Sequence, residues 1–177
     1  VTIDFGTGLD GQTLNISSDN AGDTVTLNAN GSSLIITIGA GTFSATSSPA
    51  ANAGIITFNT GTANTSDTAT INLTGANNLA NLNVLMGGGN DTVNIFGNGL
   101  NAGSWGGTIT IDGEGGGGDV VNIAVGSNFD SANANLDVTA ETINSTNIVE
   151  VDGAATFDTG STGTGAITLA NANNVFR

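Results

Sequence analysis

Acidic side chains dominate the chemistry that this sequence offers. Fifteen residues are Asp or Glu, against one basic residue and no His, so the formal net charge is −14. Such a chain cannot neutralise phosphates, which makes nucleic acid and anionic membrane surfaces poor partners. Most of the acids are Asp, whose hard carboxylate oxygens suit calcium. We therefore expect calcium as the cofactor of this protein.

The residue types that ordinarily carry out enzyme reactions are missing. The sequence contains no His, Cys, Lys or Tyr, so it has no general base that titrates near neutrality, no Ser-His or Cys-His pair and no lysine nucleophile. Paired carboxylates alone can hydrolyse glycosides. However, Glu114, Glu141 and Glu150 have no recognisable context for that reaction. We predict that the protein is not an enzyme.

One phrase, an acid followed by x-apolar-x-apolar, recurs along the chain. It begins at Asp23, Asp67, Asp91 and Asp119, at spacings of 44, 24 and 28 residues. A coil of roughly 22 to 28 residues would stack all four phrases in one column, with two coils between the first pair. The acids of the four phrases would then lie on one side of the molecule.

The same register assigns the positions after each acid to two faces of a strand. Side chains alternate along a strand, so the two apolar positions of each phrase point inward and the position between them points outward. The predicted core residues are Val25, Ala69, Val93, Val121, Leu27, Ile71, Ile95 and Ile123, and the predicted outward residues are Thr26, Thr70, Asn94 and Asn122.

Two of the phrases follow a glycine-rich turn. Residues 86–95 read MGGGNDTVNI, and residues 115–123 read GGGGDVVNI. The pattern resembles the nonapeptide of the RTX (repeats-in-toxin) proteins, in which glycines allow left-handed turns and Asp joins backbone carbonyls in binding calcium. Met86 and Glu114 stand where that family has its first glycine, and the two copies are not in tandem. The predicted metal ligands are Asp91, Asp119, Asp23, Asp67 and Asn90.

Short alternating strands, closed by Gly, Asn or Asp, fill the sequence, and no stretch has a convincing helical period. We predict an all-β fold, a right-handed parallel β-solenoid (β-helix) with coils of roughly 22 to 28 residues. The alternative is one or two antiparallel β-sandwich domains. Residues 1–177 are expected to form a single solenoid segment, with a domain boundary or a long loop at 40–54, around the only proline, Pro49.

The Thr-, Asn- and Gly-rich texture of the chain, for example at 135–143, is similar to the strand repeats of large bacterial surface proteins. These include filamentous-haemagglutinin-like adhesins, autotransporter passengers and surface-layer proteins. The resemblance implies an extracellular, modular protein at the bacterial surface or in the medium. No apolar run is long enough to span a membrane, so membrane insertion is not expected.

Both ends of the chain are strand-like and apolar. A solenoid has strand-rich ends that must be capped or paired. We expect these ends to contact other copies or further domains by β-augmentation, and the predicted assembly residues are Val1, Ile3, Phe5, Val175 and Phe176. The predicted function is therefore a structural building block of a bacterial fibre, surface layer or adhesin.

A second function is compatible with the sequence. Trp105 is the only tryptophan and is flanked by glycines, as an exposed platform for stacking on a sugar would be. The alternative prediction is therefore a calcium-dependent adhesin module that binds a glycan or a host protein. A lone Trp also fills or caps a core, which leaves the role of Trp105 open.

Overall fold

The computed structural model describes most of the chain. The described residues are 2–4, 12–17, 22, 24–30, 33–38, 44–49, 54–60, 64–74, 79–98, 107–113, 115–126, 128–130, 134–160 and 164–177. Within these ranges the chain forms strands and turns and contains no helix, so none of these residues belongs to a helix that could cross a membrane.

The strands are short, as the spacing of turn residues in the sequence requires. They are β1 Thr2–Asp4, β2 Gln12–Ser17, β3 Thr24–Asn30, β4 Ser33–Ile38, β5 Ser44–Pro49, β6 Gly54–Asn59, β7 Thr68–Thr74, β8 Leu79–Leu85, β9 Thr92–Asn98, β10 Thr108–Asp112, β11 Val120–Ile123, β12 Phe129–Asp130, β13 Asn135–Thr139, β14 Thr142–Ser145, β15 Val149–Val151, β16 Ala155–Asp158, β17 Ala166–Leu169 and β18 Val175–Phe176.

These strands stack into a right-handed parallel β-solenoid. The first sheet has the order β1-β4-β3-β7-β9-β11-β14-β17, and the second has the order β16-β13-β10-β8-β6-β2-β5. A short third side is formed by β12, β15 and β18, and it joins the first sheet where β12 pairs with β9. Each coil thus contributes one strand to each sheet, which confirms the predicted fold class and excludes the antiparallel sandwich.

The predicted inward positions form the core. In the first sheet Val25 pairs with Ala69, Ala69 with Val93, and Val93 with Val121. The next inward row is Leu27, Ile71, Ile95 and Ile123, and all eight residues are at most 4% exposed. Burying one Val, Leu or Ile side chain contributes roughly 1.5 to 3 kcal/mol. The core is therefore a stack of such rows, continued along the second sheet by residues such as Leu82, Ile109 and Leu136.

The spacing between coils also agrees with the prediction. Hydrogen bonds that link equivalent turns of successive coils join residues 24, 28 and 22 positions apart. In the first sheet, the predicted coil length of roughly 22 to 28 residues is confirmed from β7 onward. In the second sheet the coil from β13 to β16 is shorter, with paired residues 19 positions apart. The row between the core rows carries Asn94, Asn122 and Asn144, whose amides form a ladder at 2.9 and 3.5 Å on the outer face.

The prediction of two coils between Asp23 and Asp67 is wrong. Strand β3 pairs directly with β7 in a parallel register. The extra residues between them include β4 and β5, which run antiparallel to β3 and β2 at the N-terminal end of the two sheets. The chain therefore reverses after β3, and this reversed excursion accounts for the longer spacing.

The segment at 40–54 lies within this excursion. Its described part is the strand β5 and Gly54, the first residue of β6. Strand β5 pairs with β2 along its whole length, from Gln12 with Pro49 to Ser17 with Ser44. Pro49 ends this outermost strand of the second sheet, where a missing backbone N–H is tolerated. The remaining residues of 40–54 lie outside the described part of the chain.

Candidate functional site

The acids of the repeated phrases form a column along one side of the solenoid. Asp67, Asp91 and Asp119 each stand directly before a strand of the first sheet, and each is at most 2% exposed. Glu141 occupies the same place before β14 and is half-buried. Because coils stack in register, the four acids lie one above another. We call Asp67, Asp91, Asp119 and Glu141 the acid column.

Hydrogen bonds connect the members of the acid column through the backbone. The Asp91 Oδ1 atom accepts a hydrogen bond from the amide of Asp67 at 2.8 Å, and the Asp119 Oδ1 atom accepts one from the amide of Asp91 at 2.7 Å. The Glu141 Oε2 atom accepts from the amide of Asp119 at 3.0 Å. Each carboxylate thus satisfies a buried amide of the preceding coil that would otherwise lack a partner.

A second set of bonds connects the same coils through the carbonyl groups of the acids. The carbonyl of Asp91 accepts a hydrogen bond from the amide of Val120 at 2.9 Å, and the carbonyl of Asp119 accepts one from the amide of Thr142 at 2.9 Å. Both the amide and the carbonyl of Asp91 and of Asp119 are therefore bonded to the next coil. Through these hydrogen bonds the acid column joins the backbones of successive coils.

Glycines allow the turn before Asp91 and the turn before Asp119 to lie against each other. Gly89 has a φ of +139°, and a Cβ atom added there would lie 1.8 Å from the carbonyl oxygen of Thr65 in the preceding coil. A Cβ atom at Gly116 would lie 1.4 Å from the carbonyl oxygen of Gly89. Close approach of two backbones explains why these positions require glycine.

Two carboxylates of the acid column, those of Asp91 and Asp119, have raised pKa values. Burial raises the pKa of Asp119 to about 6, partly opposed by the hydrogen bond from the amide of Asp91, and the charges of Asp91 and Glu141 add to the rise. Burial likewise raises the pKa of Asp91, where the amide of Asp67 opposes the change and the charge of Asp67 adds to it. Asp91 and Asp119 therefore hold protons more strongly than free aspartates do.

The fit of calcium to this column can be judged from its oxygens. The Oδ2 atoms of Asp91 and Asp119 are buried and have no hydrogen-bond partner, so each could offer one oxygen to a cation. Calcium takes six to eight oxygen ligands. Among the residues that the structure describes, no group of three His, Cys, Asp or Glu side chains converges on one point. These side chains alone therefore do not complete a calcium cage.

The other predicted site residues lie elsewhere. Asn90 is exposed in the turn before Asp91, and its amide faces Gly118 of the next coil. Asp23, predicted as a ligand, and Trp105, predicted as a sugar platform, lie outside the described residues. The structure thus brings Asp67, Asp91 and Asp119 together, and it leaves the predictions for Asp23 and Trp105 as they were.

Three of the predicted assembly residues, Ile3, Val175 and Phe176, are described by the structure and lie in the strands β1 and β18. Val1 and Phe5 lie outside the described residues, and the backbone of Ile3 pairs with that of Ile36 in an antiparallel register. At the other end, β18 pairs with β15 so that Val175 lies beside Glu150. Phe176 is 46% exposed and contacts Phe157 edge to face, with ring centroids 5.8 Å apart.

Sequence reasoning missed Glu141 and Ile167. Glu141-Thr142-Ile143 follows Asp119 by 22 residues and repeats the acid-x-apolar phrase with Glu in place of Asp, which was a readable signal. Ile167 continues the inward row of Val121 and Ile143 into β17, and it is 46% exposed where Ile143 is fully buried. Its exposure depends on where the stack ends and has no signal in local sequence.

Comparison of the chain with protein-family models, with curated proteins and with solved structures found no match.

Proposed function

We propose that the chain is a non-catalytic, extracellular structural protein of bacteria, a building block of a fibre, a surface layer or an adhesin. It assembles through the ends of its solenoid. One observation carries this proposal: the last coil, formed by β16, β17 and β18, is built like the coils before it but has nothing packed on its outer side among the described residues.

The exposure of the last coil supports the proposal. Ile167 is 46% exposed, although it stands in the row of Val93, Val121 and Ile143, which are at most 1% exposed. A further coil stacked on β17 would bury it as those residues are buried. Strands at the edge of a sheet also present backbone amide and carbonyl groups that can pair with another chain. The last coil therefore has an exposed apolar side chain and strand edges that can pair with another chain, which are two properties of a docking surface.

The composition supports the non-catalytic and extracellular parts of the proposal. The sequence has no Cys, His, Lys or Tyr, so the usual catalytic side chains are missing. Its net charge of −14 keeps separate molecules apart in solution, as suits a secreted protein that associates only at defined surfaces. The Thr-, Asn- and Gly-rich composition of the chain is similar to that of bacterial surface-protein repeats, and this similarity favours an extracellular location.

The experiment that tests this function is the assembly state of the purified chain. Light scattering after size-exclusion chromatography, over a rising series of protein concentrations with calcium or with a chelator, measures the mass of the species in solution. Negative-stain electron microscopy of the same samples shows their shape. We expect species larger than one chain. A monodisperse monomer at every concentration, in both conditions, would contradict assembly through the ends.

A further inference from the structure

The outer face of the first sheet carries no charge, although the whole chain carries −14. The parallel strands of this sheet, β3, β7, β9, β11, β14 and β17, contain no Asp, Glu or Arg. The acid column precedes four of these strands, but its aspartates are at most 2% exposed. We call the outward residues of β7, β9, β11 and β14 the neutral face.

The other two sides of the solenoid carry acids within their strands. In the second sheet, Asp112, Asp137 and Asp158 lie at outward positions. On the third side, Asp130 and Glu150 lie side by side in paired strands. A cationic partner would therefore be attracted to these two sides, and an anionic partner would be repelled by the chain as a whole. The neutral face suits a partner that has no charge.

A ladder of side-chain amides runs along the neutral face. The Asn122 Nδ2 atom donates a hydrogen bond to the Asn94 Oδ1 atom at 2.9 Å, and the Asn144 Nδ2 atom donates one to the Asn122 Oδ1 atom at 3.5 Å. An Asn amide has two N–H donors and an oxygen with two lone pairs. Asn122 therefore retains one donor and one acceptor after it has bonded both neighbours, and the ladder fixes the direction of these groups before any partner binds.

Apolar groups flank this ladder on both sides. Thr92, Val120 and Thr142 form the neighbouring outward row, which presents methyl groups. On the other side, Phe96 lies two positions after Asn94 in β9 and points outward. All of these side chains are partly exposed. The neutral face therefore combines oriented hydrogen-bonding groups with apolar surface and an aromatic ring.

The spacing of the ladder suits a chain of sugars. Adjacent strands of a sheet lie about 4.8 Å apart, which is close to the length of one sugar unit in an extended, β-linked polysaccharide. Each sugar unit has hydroxyl groups that donate and accept hydrogen bonds, and C–H groups that pack on methyl groups and aromatic rings. Protein interfaces depend instead on aromatic and arginine anchors, and the neutral face has one aromatic residue and no arginine.

We propose that the neutral face binds an uncharged, extended polysaccharide, which lies along the solenoid axis with one sugar unit on each coil. The amides of Asn94, Asn122 and Asn144 bond its hydroxyl groups, and Val120 and Phe96 pack against its C–H groups. This binding is separate from the assembly of the chain, because the neutral face lies along the side of the stack of coils.

The first test is affinity electrophoresis of the chain through native gels that contain a soluble polysaccharide. The uncharged probes are hydroxyethyl cellulose, galactomannan and xyloglucan, and the anionic probe is alginate. We expect at least one uncharged probe to slow the migration of the chain and alginate to have no effect. Retardation by none of the uncharged probes, or equal retardation by alginate, would overturn the proposal.

The second test removes the hydrogen-bonding groups of the central amide. Asn122→Val keeps a side chain that suits a strand. We expect it to raise the dissociation constant for the retarding polysaccharide about 10-fold, because two hydrogen bonds to the sugar are lost. The matched control is Asn83→Val on the outer face of the second sheet, where the Asn83 Nδ2 atom donates to the Thr57 Oγ1 atom of the preceding coil at 3.2 Å. We expect the control to bind like the wild type.

A second pair of variants tests the apolar part of the neutral face. Phe96→Ala removes the ring, and Leu85→Ala removes a half-buried outward side chain from β8 in the second sheet. We expect Phe96→Ala to weaken binding about 10-fold and Leu85→Ala to leave it unchanged. Melting curves show which variants are folded at the assay temperature. Wild-type affinity in a folded Asn122→Val or a folded Phe96→Ala variant would contradict a site on the neutral face.

The orientation along the axis is tested with oligosaccharides of increasing length. Cello- and manno-oligosaccharides of two to six units represent the backbones of the three uncharged probes, and isothermal titration calorimetry measures their affinity. We expect the affinity to rise with each added unit, because each unit contacts a further coil. Malto-oligosaccharides, which are uncharged but curved, are the control and should bind more weakly. An affinity that is already complete with two units would overturn the placement along the axis.

The regular rows of hydroxyl and amide groups could instead order water, and this alternative is measured directly. Partition of the chain into growing ice, without retardation by an uncharged polysaccharide, would assign the face to ordered water and overturn the proposal. Such a failure would leave the assembly of the chain untouched, since assembly is measured by the mass of the species in solution.

Discussion

The Asp119 carboxylate accepts a hydrogen bond from the backbone amide of Asp91 at 2.7 Å, across two successive coils. Both residues are 1% exposed, so the bond is shielded from water. The repeated acid of this chain therefore links one coil to the backbone of the preceding coil. The first consequence concerns stability when that acceptor is removed.

At pH 4, where the Asp119 carboxyl is protonated and carries no buried charge, we expect Asp119→Ala to destabilise the protein by about 1 to 3 kcal/mol, because the buried amide of Asp91 then loses its acceptor. Asp119→Asn keeps an oxygen at the same place and should cost less. Urea unfolding followed by circular dichroism measures both changes. Asp137→Ala, at an outward position of β13, is the control and should stay within about 0.5 kcal/mol of the wild type. Equal stability of Asp119→Ala and the control would contradict the capping role.

The acid column also predicts how stability depends on pH. The folded pKa of Asp119 is about 6, above its usual value of 3.8, so the folded state binds a proton more readily than the unfolded state does. Protonation therefore stabilises the fold. In the presence of a chelator, the free energy of unfolding should rise as the pH falls from about 7 to about 4, by up to roughly 3 kcal/mol.

Raised pKa values of both Asp119 and Asp91 act in the same direction, and the contribution of Asp119 is complete below a pH of about 4. Urea unfolding at several pH values measures this dependence. Asp119→Asn removes one of the two groups and should flatten the profile. A wild-type stability that stays constant or falls between pH 7 and pH 5 would show that the column does not take up protons on folding.

Two adjacent glycines provide a test of the turn geometry. A Cβ atom at Gly116 would lie 1.4 Å from the carbonyl oxygen of Gly89, whereas one at Gly117 would meet nothing within 4 Å. We expect Gly116→Ala to lower the free energy of unfolding by at least about 2 kcal/mol, since two backbones must move apart. Gly117→Ala should change it by less than about 0.5 kcal/mol. Thermal melts measure both changes. Equal melting temperatures for the two variants would contradict the close stacking of the turns.

The N-terminal half of the core contains a small apolar cavity beside Ala69. Ala69 stands in the row of Val25 and Val93, and the cavity is also lined by Phe58 and Ile71. We expect Ala69→Val to fill it and to stabilise the protein by about 1 kcal/mol. Ile71→Val, which enlarges the cavity, should cost about 0.5 to 1.5 kcal/mol. A lower melting temperature for Ala69→Val would mean that the surrounding side chains are already packed too closely.

Calcium binding at Asp91 and Asp119 stays a prediction of the sequence. If the buried Oδ2 atoms of these residues accept a cation, millimolar calcium should raise the melting temperature, because a ligand that binds only the folded state stabilises it. The effect should be larger at pH 8 than at pH 5, where Asp119 is largely protonated. Asp119→Asn should lose most of it. Magnesium is the control cation, and no calcium-specific change in melting temperature would exclude the site.

Much of the fold was predictable from local sequence. The alternation of Val93 with Ile95 specifies which side chains enter the core, and the recurrence of the acid phrase specifies the length of a coil. Both signals are periodic, and a strand has only two faces, so the pattern permits few ways of assigning residues to the core. The phrase at Glu141 carried the same information but was hidden by the exchange of Asp for Glu.

Other features depended on contacts between residues distant in the chain. The spacing from Asp23 to Asp67 suits two coils as well as it suits one coil with a reversed excursion, and only the pairing of β3 with β7 decides between them. Likewise, an Asp beside glycines suits a calcium turn and an amide cap equally well. The amide cap itself depends on the amide of Asp91 lying within hydrogen-bonding distance of Asp119, which arises when coils 28 residues apart stack. The composition and period thus determined a solenoid with an acidic column, and the stacking decided which backbone amides the acids bind and that Ile167 is exposed.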